Sequence, residues 1–220
     1  MIVDKINIVK KHLDFFLLAN LSAKIRFEII KQLKMRTLFF RKSRLKFNIC
    51  PAGINKSFEW YPTDKKSLDI TKENDWRKVL SSLRLDNIAA EHVWEHLNQS
   101  ETELANVNCF KYLKKGGILR IAVPDAYNPN KNYIESVKPG GTGKGAMDHK
   151  IFYNYRTMTE VLQKAGFIVK LLEYWDEYGQ FHYIDWTNEN GFIERSRRYD
   201  PRNKNGSLEY TSLIIDANKP

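Results

Sequence analysis

Hydrophobic positions recur along the chain in two patterns. Over residues 1–44 they fall at helical spacing: Ile6, Ile8, Val9, Leu13, Phe16 and Leu17, then Ile25, Phe27, Ile29, Ile30 and Leu33, with no Gly or Pro between them. This predicts helices, with Ser22 as cap of the second. From residue 45 short apolar runs alternate with amphipathic ones. LKFNIC (45–50), EWYPT (59–63), LDI (68–70), LDNIAAE (85–91), ILRIAVP (118–124), FIVKLLEYW (167–175) and LEYTSLIIDA (208–217) read as seven strands. Helices are predicted from Thr71, as N-cap, through Leu83, from Gln99 to Leu113 with KKGG as a glycine C-cap, and over 154–166, stopped at Gly166.

Strands alternating with helices predict an α/β fold: a Rossmann-like, seven-stranded, mostly parallel sheet with an antiparallel last strand and helices on both faces. The chain divides into a basic helical extension, 1–44, and a domain, 45–220. In such sheets ligands bind beyond the carboxyl ends of the strands. Those ends hold Cys50, Pro51, Ala52 and Gly53, then Thr63 and Asp64, Asp69 and Ile70, Ala90 through His96, and Pro124 and Asp125.

Composition narrows the class. The chain has 220 residues, 42% of them hydrophobic, enough for a core. Two cysteines, Cys50 and Cys109, make no disulfide framework and point to buried thiols in a reducing, cytoplasmic setting. No secretory signal is seen, and FFLLANLSA is far short of the ~20 residues that span a bilayer. The net charge of +10 is uneven, because residues 1–44 carry eleven Lys and Arg against three acids. Such a segment suits an anionic membrane surface, nucleic acid or an acidic partner protein. It also suits a helix with one packed and one solvated face, or a homo-oligomer contact.

The order of elements and several motifs resemble the class I S-adenosylmethionine-dependent methyltransferases over about residues 45–220. AEHVWEHL resembles the family's EHVLEHL-type fourth-strand motif. CFKYLKKGGILRIAVPD resembles VLKPGGxLxIxVPD, and DHKIFYNYRTMTEVLQKAGF resembles GHxxxYxxxxLxxxLxxAGF. The resemblance implies that FNICPAG is the first cofactor loop, with Cys50, Pro51, Ala52 and Gly53 against S-adenosylmethionine. The loop departs from GxGxG by holding one glycine. The resemblance also implies that Thr63 and Asp64 hold the ribose, that Asp69 and Ile70 meet adenine, and that Ala90, Glu91 and His92 line the pocket. Asp64 reads equally as a turn aspartate, and Asp69 as a cap shared with Thr71.

His92, Glu95 and His96 follow i, i+3, i+4 spacing, one face of a helical turn, and imidazoles beside a carboxylate are metal-ligand types. The pattern resembles the E-x-x-E-H element of the ubiquinone O-methyltransferase and small-RNA 3′-end methyltransferase groups, with His92 in place of the first Glu. That resemblance implies a divalent metal, Mg or Mn, on His92, Glu95, His96 and the distant His149. The alternative is that these side chains line the cofactor pocket or cap the next helix. HVWEH also fits a peptidase pattern, which belongs on a long helix in another fold.

PGGTGKGAMDHK (139–150) is not a P-loop, since no Ser or Thr follows Lys144. It reads as a glycine-hinged lid bringing in Asp148 and His149, or as a plain surface loop. His149 is the first choice for general base and Asp125 the second. Residues 174–202 are rich in aromatics, with Arg195, Arg197 and Arg198 suited to phosphate or carboxylate. They read as an acceptor surface or as an edge hairpin covering the core. The function expected is O-methylation of a sugar hydroxyl on a glycan or nucleotide-sugar. An RNA methyltransferase and a catalytically degenerate scaffold stand as alternatives.

Overall fold

The computed structural model describes residues 44–49 and 60–220. The extension over 1–44, apart from Arg44, and the Cys50–Gly53 loop lie outside the described residues. One seven-stranded sheet runs in the order β2-β1-β3-β4-β7-β5-β6. Its strands are β1 (Lys46–Ile49), β2 (Trp60–Thr63), β3 (Leu85–Glu91), β4 (Leu113–Pro124), β5 (Ile168–Trp175), β6 (Phe181–Tyr183) and β7 (Ser212–Asn218). The ladders β2-β1, β1-β3 and β3-β4 are parallel. β7 lies antiparallel between β4 and β5, so β5 runs the same way as β4. Pro62 sits in β2, at the sheet edge, where a residue without N–H costs no central ladder bond.

Two elements differ from the sequence pattern. LDI is a buried turn, not a strand. The Asp69 carboxylate accepts from the Thr71 N–H and hydroxyl, and the Ile70 carbonyl accepts from Trp76 Nε1 and Asn108 Nδ2. Side chains thus satisfy backbone groups that a ladder would otherwise hold. The seventh strand is instead β6, a three-residue partner of β5 across the 176–180 turn. KKGG is not a helix cap either. Helix α2 (Gln99–Tyr112) ends one residue before β4, and Lys114–Gly117 open that strand beside a register shift against β3. A Cβ on Gly117 would come within 2.9 Å of the Lys114 carbonyl and 3.0 Å of the Asp86 carbonyl, which explains the glycine.

Helices α1 (Glu73–Leu80), α2 and α4 (Tyr155–Lys164) pack as one layer. Trp76 stacks on Tyr112, and Asn106 of α2 donates to the Val161 carbonyl of α4. α1 starts at Lys72 rather than Thr71, with Asp69 holding Thr71 just ahead of it. A fourth helix, α3 (Lys131–Val137), follows β4. Helices were expected on both faces. Among the described residues the second face is covered by the irregular segment 186–200, whose Ile193 packs with Ala122, Leu172 and Ile214 under Trp186.

A buried irregular segment needs partners for its backbone. Three charged sheet residues supply them. Arg120 donates to the Thr187 and Gly191 carbonyls, both at 2.7 Å. Glu91 accepts from the N–H groups of Glu194 and Arg195, and Glu173 accepts from Arg197 N–H and Trp186 Nε1. Arg120 is itself paired through two bonds with its cross-strand neighbour Asp216, at 2.7 and 2.8 Å. Gly191 passes so close to the sheet that a Cβ there would lie 2.6 Å from Ala89 Cβ. No helix among the described residues is long and apolar enough to cross a membrane.

Arg120→Leu removes one member of a buried ion pair, leaving Asp216 with only the 3.4 Å bond from Asn190 Nδ2 and two loop carbonyls without their Arg120 donor. We expect a loss of about 3–5 kcal/mol in urea unfolding. Removing both charges together, as Arg120→Leu with Asp216→Leu, should cost less than Arg120→Leu alone.

Candidate functional site

The carboxyl ends of β1 and β3 open into a cleft of about 320 Å³. Its walls are apolar on Ile49, Leu68, Ile70, Val93 and Leu97, and polar on Lys65, Asp69, Thr71, His92, His96 and Glu101. The Asp69–Thr71 turn reaches it because Trp76 and Asn108 clamp the Ile70 carbonyl from behind. Burial works to raise the Asp69 pKa, but hydrogen bonds from Thr71 and Lys72 outweigh it and hold the carboxyl below its ordinary value.

The other expected cofactor residues divide. Asp64 closes a local turn, accepting from Ser67 N–H and Oγ, both at 2.7 Å, and does not line the cleft. Thr63 turns its hydroxyl to the Asn48 carbonyl at 3.4 Å. Ala90 is buried in β3, and the Glu91 carboxylate accepts from the backbone N–H groups of Glu194 and Arg195 and does not line the cleft. Cys50, Pro51, Ala52 and Gly53 lie outside the described residues. Lys65, Leu97 and Glu101 are cleft residues the sequence reading did not single out. Glu101 was legible only as the N3 partner of Asn98 in a capping box.

The chain leaves β3 through His92, which sits in the left-handed region at φ 55° and donates its N–H to the Ala122 carbonyl. A 3-10 turn, Trp94–His96, follows. Fully buried Trp94, bonded through Nε1 to Asn106 at 2.8 Å, pins that turn to α2. Glu95 is thereby driven inside with 1% of its surface exposed, and neither carboxylate oxygen has a hydrogen-bond partner. Its backbone carbonyl accepts from Lys150 N–H at 2.7 Å, which draws the 149–151 segment alongside.

Glu95, His96 and His149 consequently bring one ligand atom each within 4.8 Å of one another. The His96 and His149 rings meet edge-on at 4.7 Å. His149 Nδ1 lies 2.7 Å from the Val137 carbonyl, which can only accept, so the proton is on Nδ1 and Nε2 keeps its lone pair. Burial pulls the His149 pKa below its ordinary value, outweighing that hydrogen bond and the nearby Glu95. His92, expected in the same set, stands outside it. Its Nδ1 is 3.1 Å from Glu95 Oε1 and its Nε2 is 3.0 Å from Ser212 Oγ.

The 139–150 loop is packed rather than hinged. Thr142 and Gly143 donate to the Glu135 and Ser136 carbonyls of α3, and Gly140 to Ala146. A Cβ would lie 2.7 Å from Glu135 O at Gly141 and 2.5 Å from Ser136 O at Gly143. These two glycines allow close backbone approach, which corrects the expected lid. Asp148 is exposed beside His149. Asp125 is fully buried, with Oδ1 accepting from Tyr127 N–H and Oδ2 from Trp175 N–H, so it ties the end of β4 to β5.

No family model matches the chain, and no curated protein matches it. Solved structures resemble it at low identity. A SAM-dependent methyltransferase from Archaeoglobus fulgidus is 16% identical with a TM-score of 0.43, covering 86% of this chain and 93% of its own. One from Thermotoga maritima is 14% identical with a TM-score of 0.44, covering 96% of each chain. An O-methyltransferase family protein from Burkholderia thailandensis is 11% identical with a TM-score of 0.45, covering 90% of this chain and 58% of its own.

Burial pushes the Asp125 pKa up from 3.8 to about 7. A raised folded value means that the native state holds the extra proton between those limits. Its contribution to stability is therefore present at acid pH and lost as pH rises through about 7. Glu173, raised by burial, acts in the same direction, while lowered His149 acts oppositely below its ordinary 6.5. The clean quantity is the difference between wild type and Asp125→Asn in urea unfolding at pH 5 and pH 7. Wild type should lose up to about 1.4 kcal/mol per pH unit relative to the variant; parallel pH profiles would contradict the assignment.

Proposed function

We propose that the chain is an S-adenosylmethionine-dependent methyltransferase that methylates a sugar hydroxyl on a glycan or nucleotide-sugar, with a divalent Mg or Mn ion at Glu95, His96 and His149. One observation carries the reading. Glu95 is a buried carboxylate with no hydrogen bond to either oxygen, its Oε1 lying 3.1 Å from His92 Nδ1, and it clusters with two further imidazoles, one of which, His96, also lines the cleft. A buried carboxylate without hydrogen bonds is costly, and a cation is the partner that these donor types fit. The His149 tautomer fits as well, because a ligating imidazole commonly gives its other N–H to a backbone carbonyl.

The chain's own groups divide the work. The Asp69–Thr71 turn and the apolar walls receive the nucleoside end of the cofactor, with Asp69 as a charged acceptor for its N–H or O–H donors. Glu95, His96 and the Nε2 of His149 hold the cation. When bound, S-adenosylmethionine supplies the electrophilic methyl group and the cation the Lewis acidity that lowers the pKa of an acceptor hydroxyl. His92, fixed between Glu95 and Ser212, orients Glu95 and closes one side of the cleft. The sugar acceptor is supported by the diol-binding character of such a cation site and by the aromatic segment 174–202.

Calorimetric titration with S-adenosylhomocysteine tests the cofactor. Wild type should bind, and Asp69→Asn, which keeps the Thr71 turn, should weaken binding about tenfold, the size of a hydrogen bond to a charged group. Manganese binding followed by electron paramagnetic resonance should be lost in Glu95→Gln. A protein that binds neither ligand is not this enzyme.

A further inference from the structure

Beside the Glu95 cluster lies a second group of side chains that the proposed chemistry does not use. Tyr210 stacks on His92 at 6.3 Å and meets Tyr133 edge-on at 4.8 Å. The Arg202 guanidinium covers its ring at 3.5 Å. Burial, above all, pushes the Tyr210 phenol up to about 12, and the charges acting on it are Arg195, Arg202, Glu95 and Asp200. Arg195 joins this group through Ser212, whose N–H donates to the Arg195 carbonyl and whose Oγ lies 3.0 Å from Nε2 of the cleft residue His92.

The arginines of this segment differ in what already occupies them. Arg197 sits over Tyr183 at 3.9 Å and pairs with Asp185 at 3.6 Å, with its buried Nε lacking a hydrogen bond. Arg198 pairs with the same Asp185 at 3.3 Å and lies over Tyr199. Arg202 is held by two bonds to the buried Asp200 carboxylate, at 2.6 and 2.8 Å. Arg195 is different. Its backbone is fixed at both ends of the residue, N–H to Glu91 at 2.7 Å and carbonyl to Ser212 N–H at 3.1 Å. Its guanidinium makes one contact, Nη1 to Glu91 Oε1, at a long 3.5 Å. Glu91 does not depend on that contact, since two backbone N–H groups already bind it. A guanidinium carries five donors in a planar fork, and here nearly all are available on a side chain only 29% exposed.

Resting on the methyltransferase reading above, we propose that Arg195 is a specificity residue that binds an oxyanion of the acceptor, a phosphate or a carboxylate, next to the hydroxyl that is methylated. Arg202 on Tyr210 adds positive potential but keeps its fork for Asp200. The acceptor class narrows accordingly: a sugar phosphate, nucleotide-sugar or uronic acid fits this site, and a neutral glycan does not. The planar fork favours two-oxygen recognition, so lysine is an incomplete substitute.

The test is a titration of the full chain with inorganic phosphate in one arm and malonate in the other, each with and without magnesium. Wild type should bind at least one, and the tighter arm names the anion. Arg195→Gln should weaken that arm about tenfold or more, Arg195→Lys by less, and Arg198→Gln not at all. A thermal unfolding midpoint checks that each variant is folded. Equal affinity in wild type and Arg195→Gln overturns the proposal, as does a wild type that binds neither anion. Magnesium binding on the same samples separates the two readings. A folded chain that binds no cation but whose phosphate affinity depends on Arg195 keeps the anion site and loses the metal.

Discussion

The structure depends on a sheet that uses charged side chains as hydrogen-bond partners for a buried irregular segment. Glu91, Arg120 and Glu173 project from β3, β4 and β5 and satisfy the backbone of residues 187–197. Without them that segment would bury unpaired N–H and C=O groups at a cost of about 1–3 kcal/mol each. The Arg120–Asp216 pair is the center of this arrangement, since it joins β4 to β7 and carries two loop carbonyls at once. The same segment delivers Arg195 beside β3 and leads to Tyr210, so the covering layer also furnishes one wall beside the Glu95 cluster.

The strands and helices were largely legible because their signals are local. The apolar runs at β3, β4 and β5 are long, and Asn154 and Gly166 bracket α4 as a capping residue and a left-handed stop. LDI failed as a strand because its carbonyl partners, Trp76 and Asn108, are 6 and 38 residues away and carry no mark in the local pattern. KKGG failed as a cap because β4 has already begun at Leu113; Gly116 is left-handed inside that strand, and Gly117 is there for close approach. In the 139–150 loop Gly141 and Gly143 are of the close-approach kind, whereas Gly140 and Gly145 hold left-handed turns.

The candidate site was legible in part. Glu95 and His96 were found from spacing, and His149 through the family resemblance; the structure brings these three together. His92 was assigned to the same set by helical arithmetic. It falls outside because its left-handed backbone breaks the helical register two residues before the 3-10 turn begins. Asp64 and Glu91 sit where strand ends suggested, yet their carboxylates serve a local turn and a distant backbone segment. Strand position fixes a residue's place along the sheet, whereas the direction of its side chain follows from the two-residue alternation and from what lies on each face. Arg195 could be noticed as one arginine among three, and only its neighbours distinguish it.

The central claim is that Glu95 is held buried, with no hydrogen bond to its carboxylate, for a cation at the mouth of the cleft. Anomalous X-ray diffraction from crystals grown with manganese and S-adenosylhomocysteine tests it most directly. The account predicts one strong peak between Glu95, His96 and His149, with ligand density in the cleft lined by Asp69 and Ile70. Ligand density without a peak there, or a peak on other residues, would contradict it.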